Sequence, residues 1–343
     1  MNDILEIFLI TFNRRNHLKV TLDTIFSEKS PLKKYSVKIL DNNSNDGTME
    51  LCKEYEKKYN NFTYIKNNRN VGLAGNICKA MEQASKKYFW ILCDNDKLDF
   101  SAWDEVESAM SNHQDLILVC KDYYEGKKGK AFDAFVLNQI TFLPAGIYKS
   151  EHLTDNVMSY AIADTHTVLP HVPLGCAILN KGGSVSLISK SIVTLTSNVK
   201  IEDRKNYDFD RLEKDNSIDK NERVKSINFY TGIVTSFDSC RDKETRNIAI
   251  RNLVRKINHQ YGPFINIPIL VMSKTPGYIK QELFEKVPFD LKLLYFILTC
   301  LKPLMYIIYF YYSGNGLGVC IFSKLKIRLF SPKWFNNKQE NCT

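Results

Sequence analysis

The stretch that decides the fold is Tyr88-Phe89-Trp90-Ile91-Leu92-Cys93-Asp94-Asn95-Asp96, an apolar run that ends in two carboxylates two residues apart. A short run of this kind, rich in aromatic and branched side chains, is typical of a buried strand in a parallel sheet. Ligands of open α/β sheets bind outside the carboxyl ends of the strands. Asp94 and Asp96 are therefore expected at a binding edge, where paired carboxylates are suitable oxygen ligands for Mg²⁺ or Mn²⁺.

The Asp-Asn-Asp motif also has a simpler interpretation. Asp and Asn are common in turns because their side chains bond the nearby backbone and tolerate left-handed geometry. A strand followed by an ordinary turn would leave the same pattern, so the residues that precede the strand have to decide between a turn and a metal site.

The composition is that of a globular protein with reduced thiols. The 343 residues are 44% hydrophobic and 25% charged, and this length predicts a main domain plus an addition. Nine cysteines without a C-x-x-C pair favour a reducing cytosol over a disulfide framework. The amino terminus lacks a basic segment followed by a long apolar core, so we predict no secretory signal.

The net charge of +9 fits a nucleic acid, a membrane surface or anionic small molecules as partners. Single-strand binders carry basic residues interleaved with aromatic ones, and no such stripe is present. Nucleic-acid binding is therefore disfavoured.

Three predicted strands precede the Asp-Asn-Asp strand, and each is followed by apolar residues at helical spacing. The strands are expected at 7–10, 37–40 and 62–65, and the helices over 18–26, 49–59 and 77–84. This βαβαβαβ order with short loops predicts a parallel, three-layer sheet with right-handed crossovers. Neither G-x-G-x-x-G after the first strand nor G-x-x-x-x-G-K-[ST] occurs, so the usual dinucleotide and P-loop folds are not predicted.

Four pieces at the expected strand ends resemble glycosyltransferase family 2, within residues 1–97. They are Thr11-Phe12-Asn13-Arg14, the polar run 41–48, Asn70-Val71-Gly72 with Asn76, and Asp94-Asn95-Asp96. The resemblance implies an α/β fold of the GT-A type, a Rossmann-like and mostly parallel sheet with helices on both faces. It also implies a nucleotide-sugar donor, a divalent metal (Mg or Mn) and a saccharide acceptor.

The resemblance also assigns roles by position. Asp41 should face the nucleobase, Asp94 should lie near the ribose and the metal, and Asp96 should be the main metal ligand. A carboxylate accepts from the ring N–H of uracil, thymine or guanine, so a UDP-, GDP- or dTDP-sugar is favoured. The other implied donor-binding residues are Thr11, Asn13, Arg14, Asn43, Asn70, Gly72, Asn76 and Asn95. Asn70 and Gly72 equally suit plain turn and helix-cap chemistry.

Lys97 departs from the family pattern, in which an acidic or apolar residue usually follows the last Asp. A lysine that points inward would weaken metal binding or contact phosphate, whereas one that points outward would do neither. Both orientations are open.

A second, weaker resemblance begins at residues 142–149 and is to the acceptor half of bacterial surface-polysaccharide enzymes, the abequosyltransferase-like group in particular. An inverting transfer needs a general base for the attacking hydroxyl. Because the Glu-Asp pair typical of the family is absent, Asp164 is the first candidate, His166 the second and Asp155 the third. His171 suits a role in orienting the acceptor and the role of a core histidine equally well.

The predicted organisation has three parts. Residues 1–200 form the catalytic domain, with a nucleotide-sugar half at 1–97 and an acceptor half at 98–200. Residues 201–262 contain a charged loop, either a lid or a surface insertion, and an amphipathic helix over 244–261. Residues 263–343 form a helical, basic, membrane-associating region.

The apolar stretch 291–312 is nearly long enough to span a bilayer, but Lys302 and Pro303 lie at its middle. Two shorter interfacial segments fit better, and the basic residues downstream suit anionic headgroups. We therefore expect a cytoplasmic protein attached peripherally to the inner face of the membrane. A spanning segment and a pair of dimerisation helices are the alternatives.

These features predict an inverting, metal-dependent glycosyltransferase that moves a sugar from a nucleotide-sugar to a saccharide acceptor, expected to be polyprenyl-linked. The process would be synthesis of a cell-surface polysaccharide such as O-antigen or capsule. The alternatives are a polyprenyl-phosphate glycosyltransferase and a nucleotide-sugar-binding module without catalysis.

Overall fold

A computed structural model describes residues 4–120, 128–194 and 229–261, together with residues 124, 126, 289 and 293. The chain divides into two compact units. The first comprises residues 1–223 and 235–245, and the second comprises residues 224–234 and 246–343. The predicted boundaries at 200 and 262 stay predictions.

The described residues contain nine strands. They are β1 (Leu5–Thr11), β2 (Ser36–Asp41), β3 (Phe62–Lys66), β4 (Tyr88–Cys93), β5 (Lys97–Leu98), β6 (Leu116–Leu118), β7 (Gly146–Lys149), β8 (Val185–Leu187) and β9 (Val193–Thr194).

The described residues also contain nine α-helices. They are α1 (Arg15–Ile25), α2 (Thr48–Lys58), α3 (Gly72–Glu82), α4 (Trp103–Ser111), α5 (Lys130–Gln139), α6 (Asp155–Ala163), α7 (Val172–Asn180), α8 (Phe229–Ser236) and α9 (Lys243–Tyr261). Short 3₁₀ turns occur at Pro31–Lys34, Leu143–Ala145, Ser150–His152, Asp164–Thr167 and Phe237–Ser239.

Seven strands form one sheet in the order β3-β2-β1-β4-β7-β6-β8, and β5 pairs with β9 in a separate two-stranded sheet. Strands β1 to β4 are parallel to one another, whereas β7 runs antiparallel to both β4 and β6. The predicted mostly parallel α/β sheet is confirmed.

The sheet is buried on both faces, as the apolar runs predict. Leu5, Ile7 and Leu9 of β1 belong to a buried cluster with residues of α1, α2 and α4. The alternate side chains Phe8 and Phe89 are also fully buried, and they lie on the opposite face because successive strand side chains alternate. Helix α3 contacts β1.

Helix α1 ends at Ile25, close to the predicted limit at residue 26, and Pro31 begins a 3₁₀ turn in which the Ser30 side chain accepts from Leu32 N. After Asp96, β5 pairs with β9, and α4 then begins at Trp103.

The amphipathic helix expected over 244–261 is present as α9, with Ala249, Ile250 and Leu253 buried. No helix within the described parts of the chain has the length and apolarity needed to cross a membrane. The predicted charged loop up to residue 228 and the membrane-associating region 263–343, including 291–312, lie outside the described residues except for Phe289 and Leu293.

Candidate active site

The loops after β1, β2 and β4 meet at one edge of the sheet. Thr11 pairs with Asp41, and Ile10 pairs with Cys93, so three parallel strands end at nearly the same level. Asp94 follows Cys93 directly. The parallel register therefore brings together polar residues that are far apart in the sequence.

Asp94 is 2% exposed, and both of its carboxylate oxygens have partners. Thr11 Oγ1 donates to Oδ2 at 2.7 Å, and Arg14 Nη1 lies 3.1 Å from Oδ1. The backbone carbonyl of Asp94 accepts from Thr21 Oγ1 of α1 at 2.8 Å. Burial raises the pKa of Asp94, and the positive charge of Arg14 opposes that rise.

Asp96 is also buried, but its two oxygens differ. Oδ2 accepts from the backbone N–H of Cys93 at 2.9 Å, whereas Oδ1 is buried with no hydrogen-bond partner among the described residues. Burial, reinforced by the nearby charge of Asp94, raises the pKa of Asp96 to about 7. A buried oxygen without a partner is costly unless something binds it, and a hard divalent cation fits such an oxygen.

Lys97 follows on β5 and is exposed, paired through its backbone with Thr194 of β9. Of the two orientations that the sequence left open for Lys97, the structure has the outward one.

Asp41 lies at the end of β2 and is fully buried. Ser44 N donates to Oδ1 at 2.8 Å, and the hydroxyl of Tyr64 donates to Oδ2 at 2.6 Å. Burial and the hydrogen bond to Asp41 raise the pKa of Tyr64, so its hydroxyl stays protonated. A carboxylate has about four acceptor positions, so Asp41 can still accept a nucleobase N–H. Its predicted role stays a prediction.

The loop after β1 is tied to the loop after β2 around Asn13. Asn13 N donates to Ser44 Oγ, and Asn45 N donates to Asn13 Oδ1, both at 2.8 Å. Two residues after Asn13, Arg15 N donates to Asp46 Oδ2 at 2.9 Å. Asn13 has a φ of 51°, a left-handed conformation that Asn tolerates better than most residues. These contacts hold the backbone on both sides of Arg14.

Four asparagines and a lysine connect the loops after β2 and β3 to the start of α3. Asn67 Nδ2 donates to Asn42 Oδ1 at 3.1 Å and to Asn76 Oδ1 at 2.9 Å, and Asn67 Oδ1 accepts from Lys79 Nζ at 2.9 Å. Asn42 Nδ2 donates to Asn70 Oδ1 at 2.7 Å, and Asn76 Nδ2 donates to the Leu40 carbonyl at 3.0 Å.

Two of the predicted donor-binding residues, Asn70 and Asn76, therefore belong to this network. Asn70 Oδ1 also accepts from Gly72 N at 2.9 Å, which is the turn and cap chemistry that the sequence left open. Gly72 has a φ of 76° at the start of α3. The remaining two predicted residues, Asn43 and Asn95, are exposed and half-buried, respectively.

The candidate bases Asp164 and His166 lie together on the 3₁₀ turn after α6. Helix α6 packs against α3, and so does this turn. His166 is exposed, and its Nδ1 lies 2.8 Å from the Ala163 carbonyl. Because a carbonyl only accepts, the neutral ring carries its proton on Nδ1 and keeps a basic lone pair on Nε2. The third candidate, Asp155, is exposed at the start of α6.

His171 is 1% exposed, and its Nε2 donates to the Ile140 carbonyl at 2.8 Å. Burial lowers the pKa of His171 to about 4, so the ring is neutral at pH 7. These surroundings favour a core histidine over a residue that contacts an acceptor.

A second group with possible metal ligands, Asp115, Glu151 and His152, lies at the opposite edge of the sheet, beside the end of β7 where Lys149 pairs with the first residue of β4. His152 Nε2 lies 2.9 Å from Asp115 Oδ1. Burial alone would raise the pKa of Asp115, but hydrogen bonds from His152 and Ser184 lower it to about 2. Lys149 Nζ lies 3.6 Å from Asp115 and 2.5 Å from Glu151, so a lysine already neutralises this group.

Sequence reasoning did not identify Tyr64, Asn67, Thr21 or Ser44 as part of the site. Tyr64 follows the alternation of a strand, and Asn67 lies in a polar loop. Their roles depend on partners 23 and 25 residues away, and neither has a local pattern that would indicate them.

A mostly parallel sheet with paired carboxylates just after a central strand has its polar groups where open α/β sheets bind their ligands. Residues 6–155 match the family described as "Glycosyl transferase family 2". This match covers less than half of the chain and includes β1 to β4 with the Asp-Asn-Asp motif.

An uncharacterized glycosyltransferase of Methanocaldococcus jannaschii is 27% identical over 154 residues, which cover 44% of this chain and 53% of the relative. The chain thus matches about half the length of that protein. TarS 1–349 of S. aureus, crystallised in complex with UDP-GlcNAc, is similar in fold, with a TM-score of 0.56 and 14% identity over 83% of this chain and 82% of that one.

Proposed function

We propose that this chain is a divalent-metal-dependent glycosyltransferase that moves a sugar from a nucleotide-sugar to a hydroxyl of a saccharide acceptor. The observation that carries the proposal is the buried Oδ1 of Asp96, just after β4, which has no hydrogen-bond partner among the described residues. It lies within the region that matches glycosyl transferase family 2. A turn-forming aspartate would direct its oxygens to solvent or to the backbone. This oxygen instead has the burial and hardness that suit a cation.

Asp96 would hold Mg²⁺ or Mn²⁺ through Oδ1, with Asp94 beside it. When bound, the cation would neutralise charge on the departing nucleoside diphosphate. In the transfer, the acceptor oxygen forms a bond to the anomeric carbon while the bond from that carbon to the diphosphate oxygen breaks. Asp164 or the free Nε2 of His166 takes the proton of the acceptor hydroxyl. Attack opposite the leaving group would invert the anomeric centre.

The donor is proposed to be a UDP-, GDP- or dTDP-sugar. The support is Asp41, which offers only acceptors and so favours a base with a ring N–H. The complex of the structurally similar TarS with UDP-GlcNAc is consistent with a nucleotide-sugar donor.

The acceptor is proposed to be a polyprenyl-linked saccharide of a surface polysaccharide, reached from the cytoplasmic face of the membrane. The support is the net charge of +9 and the apolar, basic sequence of 263–343. An abequosyltransferase-like specificity rests on the sequence resemblance of the acceptor half.

Calorimetric titration of UDP, GDP, CDP and dTDP, each with Mn²⁺ and then with EDTA, tests the proposal. We expect one nucleotide to bind tightly only with Mn²⁺, and Asp96→Ala to abolish that binding. Asp99→Ala is the matched control, because Asp99 is an exposed aspartate three residues away whose oxygen accepts only from a local turn. Nucleotide binding that still depends on Mn²⁺ in Asp96→Ala would refute the proposal. So would a wild type that binds none of the four nucleotides in a metal-dependent way.

A further inference from the structure

We propose that Arg14 prevents the site from binding a divalent cation tightly before the nucleotide arrives, and so makes metal binding depend on the nucleotide. This inference rests on the proposed function, because it concerns the same metal site. It assigns to Arg14 a role beyond lining the nucleotide pocket.

The first argument is which carboxylate oxygens are open. Thr11 Oγ1 and Arg14 Nη1 contact the two oxygens of Asp94, at 2.7 and 3.1 Å, and Arg14 brings a positive charge with it. The Arg14 and Asp94 side chains are 10% and 3% exposed, so water competes little for this pair. Only Asp96 then offers a buried carboxylate oxygen without a hydrogen-bond partner among the described residues of the site. One monodentate carboxylate is a poor cage for Mg²⁺ or Mn²⁺, which take six ligands and keep several waters.

The second argument is the local charge. When both carboxylates are ionised, they and the guanidinium leave a single net negative charge in a buried site. At low dielectric a unit charge within several ångströms changes cation affinity strongly. A nucleoside diphosphate brings the missing negative charge together with further oxygen ligands, so the cation and the nucleotide should bind cooperatively.

The third argument is that Arg14 is held in place. The backbone of its neighbours Asn13 and Arg15 is bonded to Ser44 and Asp46 on the loop after β2. The Arg14 carbonyl also accepts from Leu18 N in the first turn of α1, at 3.0 Å. The backbone that carries Arg14 is thus held by contacts that do not depend on a bound cation.

The test is binding of Mn²⁺ alone, measured from the electron paramagnetic resonance signal of the free ion, in wild type, Arg14→Met, Arg14→Gln and Arg14→Lys. We expect Met and Gln each to tighten Mn²⁺ binding by about tenfold or more, since removing the charge frees Asp94 as a second ligand. Lys keeps the charge and should behave like wild type. The two neutral variants differ in polarity, so at least one of them should fold, which circular dichroism checks.

Addition of UDP, GDP or dTDP supplies the second readout. In wild type, the nucleotide should raise the affinity for Mn²⁺. In the two neutral variants this enhancement should be smaller, by about the factor by which their affinity for Mn²⁺ alone has risen. Neutral variants that bind Mn²⁺ no more tightly than wild type would overturn the inference, as would a Lys variant that binds as tightly as Met.

The double variant Arg14→Met/Asp96→Ala separates the two proposals. If the gain in Mn²⁺ affinity disappears, Asp96 is a ligand and Arg14 controls it. If the gain persists without Asp96, the proposed metal site is wrong. If Mn²⁺ binding depends on the nucleotide in the wild type, but the neutral variants bind Mn²⁺ as the wild type does, only the role of Arg14 is refuted and the metal site stands.

Discussion

Replacement of Asn67 by Ala tests whether the asparagine network holds the loops of the site. Asn67 is 5% exposed and lies just after β3. Its amide nitrogen donates to Asn42 and Asn76, and its amide oxygen accepts from Lys79. The variant removes all three hydrogen bonds without removing any apolar packing of comparable size.

The expected cost follows from these contacts. A buried hydrogen bond contributes roughly 0.5 to 1.5 kcal/mol net, and an acceptor left without a donor adds a desolvation penalty. Asn42 Oδ1 keeps the bond from Val71 N at 2.9 Å, whereas Asn76 Oδ1 loses the donor shown for it. The hydrogen bond from Lys79 is partly exposed, so its contribution should lie at the low end of that range. We expect a loss of about 3 kcal/mol in the free energy of unfolding.

Urea denaturation followed by tryptophan emission measures this loss, because Trp90 and Trp103 are buried in the first unit. The control is Asn68→Ala, the same change at the next residue, which is exposed. We expect the control to lie within about 0.5 kcal/mol of wild type. A loss below about 1 kcal/mol for Asn67→Ala, or equal losses for both variants, would refute the view that this network holds the loops.

Two further predictions concern the carboxylates. Asp96 has a pKa raised to about 7 against an ordinary value near 3.8, so the folded state holds its proton between these values while the unfolded state loses it. Stability from this group is therefore lost as pH rises from about 4 to 7, and Asp96→Asn should be more stable than wild type by about 1 to 3 kcal/mol at pH 8 without metal, with no difference at pH 4. Denaturation at both pH values checks this, and a difference that does not grow with pH contradicts it. For the base, Asp164→Asn or His166→Gln should lower kcat by roughly 10² to 10⁴ with the donor Kd unchanged. Steady-state kinetics with donor titration identifies which one acts, and full activity in both variants excludes this turn as the source of the base.

The parallel half of the fold could be predicted because its two central strands are apolar runs and because apolar residues at helical spacing follow each of the first three strands. Strand β4 has the pattern Tyr-Phe-Trp-Ile-Leu-Cys, and β1 is buried at every position, which matches a strand covered on both faces. The order of strands and helices then leaves few topologies open. That order is consistent with Asp41, Asp94 and Asp96 lying at the same edge of the sheet.

The antiparallel half was not predictable in the same way. Strands β5, β8 and β9 have two or three residues each, too few for a periodic pattern. Strand β7 follows a 3₁₀ turn, and its direction depends on tertiary contacts such as the bond from Trp90 Nε1 to the Pro144 carbonyl at 2.8 Å. Nothing local in the sequence of 142–149 specifies that pairing.

The polar residues at the carboxyl edge show why motif matches assign roles ambiguously. Asn13, Asn70 and Asn76 were predicted to contact the donor, yet each side chain bonds another loop of the same edge. A loop that binds a charged ligand cannot be fixed by apolar packing at its tip, so side-chain hydrogen bonds have to hold it in place. The same residue types are thus needed for holding the site and for binding in it.

Energetics separate the two roles. Replacing a residue that only contacts the ligand should lower ligand affinity and leave the free energy of unfolding unchanged, because its partner is absent in the free protein. Replacing a residue that holds a loop should lower both the ligand affinity and the free energy of unfolding, since the loop then has to be ordered again on binding. Asn76, which is buried and bonded on both sides of its amide, belongs to the second class, and the exposed Asn43 is a candidate for the first. Parallel measurement of unfolding free energy and nucleotide affinity in Asn76→Ala and Asn43→Ala would therefore divide the predicted donor-binding residues by what they do.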